Sequence, residues 1–260
     1  MFSDQRQEAI LNLVREVGFV SIEALAERFN VTPQTIRRSV NGLCEMALLR
    51  RVHGGVDLLN SSENLAYENR QVLNLPEKRL IGRHVAAFIP DGASVLIGLG
   101  TTPEYVARAF AYRKNLTVFT NSLNVAAVLA RNAGIEITIP GGTYRRHDRD
   151  IIGEAAAAFF MRFKADFAVF GVGGVDEDGG FLDFNEGEVE ARKAMVASCR
   201  TAILAADASK FGRVAPFRGG HLGDVDHVFT DRSLTEQFKN LPKKYGVEVH
   251  VAETQAFRAA

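Results

Sequence analysis

The chain has 260 residues, 47 % of them apolar and 24 % charged, which is enough to bury a core in one large domain or two unequal ones. Lysine plus arginine equals aspartate plus glutamate, 31 each, so global charge names no partner and a nucleic-acid signal has to be local. Two distant cysteines, Cys44 and Cys199, exclude a disulfide scaffold, and no apolar run reaches the ~18–20 residues that span a bilayer. The start, "MFSDQRQEAI", has no signal-peptide pattern, so the expected location is the cytoplasm, with no membrane partner.

Residues 1–57 read as three short helices and a hairpin. "SDQRQEAILNLVREVG" predicts an amphipathic helix capped by Ser3, with Ile10, Leu13, Val14 and Val17 as its apolar stripe and Gly18 at its stop. "VSIEALAERFN" repeats the plan: Ser21 caps, Leu25 and Phe29 face inward, Asn30 ends the helix. In "VTPQTIRRSVNGLCEMALL", Thr32 is the N-cap and Pro33 takes the first helical position, where its missing N–H costs nothing. Ile36, Val40 and Leu43 share one face, and Gln34, Arg37 and Arg38 share another. "LLRRVHGGVDLL" places His53-Gly54-Gly55 between two apolar runs, the mark of a tight hairpin. Together these elements spell a winged helix-turn-helix.

That motif predicts double-stranded DNA as a partner. Between Thr32 and Gly55 stand Arg37, Arg38, Arg50 and Arg51 against one acid, Glu45. The N-terminal part of the second motif helix enters the major groove, where Gln reads adenine and Arg reads guanine or phosphate. The expected DNA contacts are Ser21, Thr32, Gln34, Thr35, Arg37 and Arg38, with Arg50, Arg51 and His53 on the wing against phosphates.

Residues 58–76 are polar and aperiodic and read as a linker. From 77 to 260, strand-like runs ("SVLIGLG", "LTVFT", "IEITIP", "DFAVFGVGG", "TAILAAD", "DHVFTD") alternate with helix-like ones ("PEYVARAFA", "LNVAAVLARNA", "EAAAAFFMRF", "EVEARKAMVASC"). Such alternation predicts an α/β domain with a mostly parallel sheet covered on both faces. Its strand ends carry Gly100, Thr101 and Thr102; Asn121; Gly141, Gly142 and Arg145; Gly173 with a flexible acidic loop; and Asp207 and Lys210. In a parallel sheet these ends share one edge, where ligands bind. Hydroxyls, Arg and Lys beside a helix start suit a phosphate, and Asn and Asp suit hydroxyls, so the expected effector is a small phosphorylated sugar or polyol. Glu186, Glu188 and Glu190 open a helix, where acids are mainly structural, although one could hydrogen-bond ligand hydroxyls. The six histidines show no metal-ligand spacing, and "RRHDRD" reads as a solvated loop. No catalytic residue, metal or cofactor is expected.

The run "VTPQTIRRSVNGLCEMALLRRVHGGV" resembles the DNA-binding domain of the DeoR family of bacterial repressors, through Pro33 to Arg38, Leu43, Arg51 and His53-Gly54-Gly55. The family usually carries an aspartate after the two arginines, where this chain has Ser39, and a small residue such as glycine before the wing, where it has Ala47-Leu48. "GTTPE", "TNSLNVA", "DIIGEA", "DFAVFGVGGVDEDG" and "DASKFGR" extend the resemblance along nearly the whole chain. The resemblance implies a C-terminal domain similar in fold to ribose-5-phosphate isomerase. It also implies a homo-oligomer, dimer or tetramer, that represses a carbohydrate or glycerol catabolic operon and answers to a sugar phosphate or glycerol 3-phosphate. A second reading is a sugar-phosphate isomerase with an accessory DNA-binding domain. It needs a carboxylate base, and Asp183, Glu186, Glu190 or Asp207 would serve, though spacing sets none against a substrate carbon.

Overall fold

A computed structural model describes residues 5–17, 19–46, 48–52, 54–58, 64 and 67–252, and the chain divides into two units, Met1–Leu73 and Asn74–Ala260. Ser3, Gly18, Ala47 and His53 lie outside the described residues.

The first unit contains α1 (Gln5–Val17), β1 (Val20–Ser21), α2 (Ile22–Arg28), α3 (Pro33–Glu45), β2 (Leu49–Val52), β3 (Gly55–Leu58) and α4 (Tyr67–Val72). Ile10, Leu11 and Val14 of α1, Leu25 of α2, and Ile36, Val40 and Leu43 of α3 are all fully buried in one cluster. Each such aliphatic side chain contributes ~1.5–3 kcal/mol relative to an exposed one. The α1 stripe differs from expectation. Leu11 takes the central place, Leu13 is only partly buried, and Val17 is 58 % exposed. The reason is helical phase: Gln7, Ile10, Leu11 and Val14 repeat at three and four residues, while Val17 falls on the last turn, past the core. Buried Gln7 donates Nε2 to the Ser39 carbonyl, 3.2 Å away, and so ties α1 to α3.

Asn30 closes α2 in the left-handed region, φ 50°, which Asn tolerates better than most residues. The three-stranded sheet has the order β1-β3-β2, with antiparallel register Arg51↔Val56 in the hairpin and Val20↔Val56 on the other side. The two-residue β1 was not expected, and it explains the second glycine of the turn. Gly54 supplies positive φ, whereas a Cβ on Gly55 would collide with the Val20 carbonyl oxygen. Within 58–76, read as a linker from its polarity, α4 buries Tyr67 and Arg70.

The second unit runs α5 (Leu75–Phe88), β4 (Ser94–Ile97), α6 (Thr101–Ala109), β5 (Leu116–Thr120), α7 (Leu123–Leu129), β6 (Ile135–Thr138), α8 (Glu154–Phe160), β7 (Ala165–Phe170), β8 (Gly174–Val175), β9 (Gly180–Asp183), α9 (Glu186–Ala197), β10 (Cys199–Ala205), β11 (Phe217–His221), β12 (His227–Thr230), α10 (Glu236–Lys239), α11 (Leu241–Lys244) and β13 (Glu248–Val251). Seven strands pair in parallel in the order β13-β12-β10-β7-β4-β5-β6. Alternation along β4 shows why these strands are apolar throughout. Leu96 packs with Phe160 of α8 and Met195 of α9 on one face, while Val95 and Ile97 pack with Val85 of α5 and Val106 of α6 on the other.

The segment expected to be a flexible acidic loop is instead ordered. β8, β9 and β11 form a small antiparallel sheet in the order β11-β9-β8, and Asp176 and Gly180 close the β8–β9 turn. All four residues of β9 are buried.

Candidate functional site

On α3, Gln34, Arg37 and Arg38 are exposed together on the side away from Ile36, Val40 and Leu43. The hydroxyls expected at the same surface are already engaged. Ser21 Oγ accepts the Ala24 N–H at 3.0 Å, and Thr32 Oγ1 accepts the Thr35 N–H at 3.3 Å and lies 3.0 Å from Thr35 Oγ1. Ser21 and Thr32 therefore set the starts of α2 and α3, and the long side chains behind them reach outward. Ser39 is buried on the α1 side, in a groove shared with Arg6, Gln7, Arg38 and Glu45. Arg51 is exposed on β2, and its guanidinium stands beside the Cys44 thiol, opposing the upward push that burial gives that thiol. Arg50 sits opposite Asp57 in the hairpin register; its side chain lies outside the described residues.

In the second unit the parallel strands deliver their loops to one edge. Gly98 to Thr102 follow β4, Asn121 and Ser122 follow β5, Gly171 to Gly173 follow β7, and Asp207 follows β10. At the centre is a small cavity lined by Gly98, Leu99, Asn121, Asp183, Glu188 and Arg192 among others. Asn121 is 1 % exposed; its Nδ2 donates to the Ile151 carbonyl at 2.8 Å, and its Oδ1 is buried with no partner. A buried acceptor left unpaired costs about 1–3 kcal/mol, so a donor from a ligand or water would be gained at little expense. α6 starts nearby at Gly100, φ 119°, with no side-chain cap, and both Thr101 and Thr102 are buried there. Its first turn and dipole favour an anion.

The charges around this cavity are paired with one another. Arg145 meets Asp150 at 2.8 Å, Glu188 at 2.7 Å and Asp148 at 3.0 Å. Arg192 bonds Asp183 and the Gly219 carbonyl, and Asp183 accepts the Gly173 N–H at 2.8 Å. "RRHDRD" is thus no solvated loop: Asp148 and Asp150 are buried partners of an arginine, although His147 remains exposed. Glu188 does more than open α9, since it is buried at the cavity wall. Burial pushes the Glu188 carboxyl above its ordinary range, Arg145 opposes this, and Asp183 adds to the rise. Burial likewise pushes Asp183 up against Arg192.

Asp207 is buried and accepts from Ser209 and from Asn74 Nδ2 at 3.0 Å, while its Oδ2 has no partner. Burial pushes its carboxyl up, but Lys210, Ser209, Lys78 and Asn74 outweigh that and hold it below the ordinary range. Lys210 lies within electrostatic reach of both Asp207 and Asp183.

Of the residues expected to bind an effector, Asn121 lines the cavity, and Gly100, Thr101 and Thr102 continue from its wall. Gly173 supports Asp183, and Arg145 holds Glu188. Gly141 and Gly142 follow β6, beyond β5. Arg192 has no sequence signal of its own, since a lone arginine inside a helix is ordinarily solvated. In the sequence Asp183 reads only as a candidate base, because "GFLDF" carries no sign of the hairpin in which it is buried.

Comparison with known proteins meets this geometry. Residues 6–62 match the DeoR-like helix-turn-helix domain, and residues 73–232 match the DeoR C terminal sensor domain. The two units therefore define a transcriptional regulator that couples a DNA-reading module to a sensor. The chain belongs to the DeoR family. It is 43 % identical over 231 residues to the glycerol-3-phosphate regulon repressor of Escherichia coli (strain K12), covering 89 % of this chain and 92 % of that protein. Identity to the repressor of the same name from Haemophilus influenzae is 42 %, covering 86 % and 88 %. The HTH-type transcriptional repressor CsqR of Escherichia coli is 37 % identical, covering 96 % of each. Among solved structures, ribose 5-phosphate isomerase A from Neisseria gonorrhoeae is similar over 54 % of both chains, with 18 % identity and a TM-score of 0.38. The relatives are named as repressors, which sets the chain among regulators rather than isomerases. Among the described residues, no helix is long and apolar enough to cross a membrane.

Proposed function

We propose that this chain is an operator-binding repressor, working in the cytoplasm as a homo-oligomer, whose second unit binds a small phosphorylated polyol, glycerol 3-phosphate above others. The observation that carries the DNA half is the exposed Gln34–Arg37–Arg38 face of a capped α3. A dimer or tetramer would present paired copies of that face to the two halves of an operator. The effector half is supported by Asn121's unpaired Oδ1 beside the uncapped start of α6. The 43 % identity to a repressor named for a glycerol-3-phosphate regulon favours glycerol 3-phosphate and a glycerol catabolic operon as target. No resident cofactor is part of this reading. Release from DNA requires the effector to bind two conformations unequally, by a few kcal/mol.

The test is a gel shift on the DNA upstream of the chain's own gene, with and without a panel of C3 to C6 phosphates. Binding at low salt that glycerol 3-phosphate weakens supports the reading. Absence of any DNA binding, or indifference to every phosphate tried, would sink it.

A further inference from the structure

At the edge of the sheet opposite the cavity, two imidazoles and a carboxylate converge. His227 and Glu248 are the first residues of β12 and β13 and are register partners in that parallel pair. His250, two residues further along β13, projects to the same side as Glu248. Neighbouring strands place the histidines side by side although 23 residues separate them in the chain, which is why no ligand spacing shows in the sequence.

The distances fit one ion. His227 Nδ1 lies 3.5 Å from Glu248 Oε2, His250 Nε2 lies 3.7 Å from Glu248 Oε1, and the two ring nitrogens are 3.1 Å apart. A zinc ion held at ~2.0–2.2 Å by nitrogen and carboxylate oxygen sets tetrahedral ligands about 3.4 Å from one another. The three separations bracket that value. The carboxylate also straddles the pair, one oxygen toward each ring.

The surroundings hold the rings in place. Phe229 stacks on His250 with centroids 4.3 Å apart, and Phe88 of α5 sets its ring 4.8 Å from His227 and 5.5 Å from His250. An apolar shell of this kind orients imidazole ligands and limits water.

We propose that His227, Glu248 and His250 form a binding site for a divalent transition-metal ion of the zinc type. Two imidazoles and one carboxylate suit zinc, nickel or copper rather than magnesium or calcium, which select oxygen donors. The ion would fasten the edge strand β13 to β12, and solvent would complete its coordination on the exposed side of Glu248. The site is structural or regulatory, and it is independent of the effector reading.

The experiment uses the full chain, stripped with a chelator and titrated with zinc chloride by calorimetry and thermal shift. One equivalent per chain should bind, raise Tm and be reversed by EDTA, because a ligand of the folded state stabilises it by mass action. Glu248→Gln, His227→Gln and His250→Gln should each weaken binding by about tenfold or more. Glu248 is 66 % exposed, so Glu248→Gln keeps the fold and decides the matter if a histidine variant does not fold. Cobalt in place of zinc should give visible absorption bands in the wild type that Glu248→Gln shifts. Absence of saturable zinc binding in the wild type overturns the proposal. So does zinc affinity unchanged by Glu248→Gln, or a magnesium response equal to that of zinc.

Discussion

The exposed face of α3 and the strand-end cavity solve opposite problems. On α3, Gln34, Arg37 and Arg38 are exposed and lean on a core built by other residues, Ile36, Val40 and Leu43. Around the cavity, Asp183, Glu188 and Arg192 are themselves buried, and each is held by another charged group. The exposed polar residues of α3 are thus separable from stability. Those at the cavity are not, because truncating one strands its partner in a low-dielectric interior.

The largest effect should come from Arg192→Met. It leaves Asp183 buried and uncompensated and removes the donor to the Gly219 carbonyl, for a loss of ~3–5 kcal/mol. Urea unfolding followed by circular dichroism reads it, and a loss under about 1 kcal/mol would place this pair with ordinary surface bridges. Arg37→Ala and Arg38→Ala should each cost ~1–3 kcal/mol of discrimination between operator and random DNA. Both should move stability by less than ~0.5 kcal/mol. If both leave operator binding intact, α3 does not read bases. Thr32→Ala removes the cap from α3 and should cost ~1 kcal/mol of stability, with Thr32→Asn largely restoring it. Arg51→Ala should weaken operator and random DNA alike and lower the salt slope by about one.

The smallest effect is a pH dependence in which Asp207, beyond β10, and Glu188, at the cavity wall, oppose each other. Asp207 titrates below its unfolded value of 3.8, so its contribution is complete above that pH and is lost as pH falls through the lower folded value. Glu188 titrates above its unfolded value of 4.5, so its contribution is present below 4.5 and is lost as pH rises through the folded value. Asp207→Asn should therefore flatten the acid limb of the stability curve, and Glu188→Gln the limb above 4.5. The reverse assignment in an acid-to-neutral stability series would contradict the partners described for these two carboxylates.

The first unit was legible nearly throughout because its signals are local. Thr32 and Pro33 mark a helix start, a 3.6-residue period marks its buried face, and Gly54 marks a turn. Its errors are also local: the choice between Leu11 and Leu13 is a matter of helical phase, and β1 is too short to carry a pattern. In the second unit the six expected strands are all present, since buried parallel strands are apolar runs. β13 escaped notice because "EVHV" alternates as an edge strand does and resembles surface chain. β9 escaped notice because its four residues sit among Gly and Asp that read as turn chemistry. At the cavity, Gly100, Thr101, Thr102 and Asn121 were legible as strand-end loops. Arg192 was not, and neither was the engagement of Arg145 by three carboxylates, because each depends on groups far apart in sequence.

The sequence by itself determined the two-unit plan, the capped α3 with its outward arginines, the parallel sheet and the edge on which its polar loops gather. These follow from period, capping and turn chemistry within windows of a dozen or so residues. Tertiary structure decided which charges are available and which are spoken for. It buried Asp183 at the end of a hairpin strand, folded Asp148 and Asp150 back onto Arg145, and set His227 against His250 across two strands. Electrostatic pairing acts across space at a few ångströms, and only the folded sheet brings such distant parts of the chain that close.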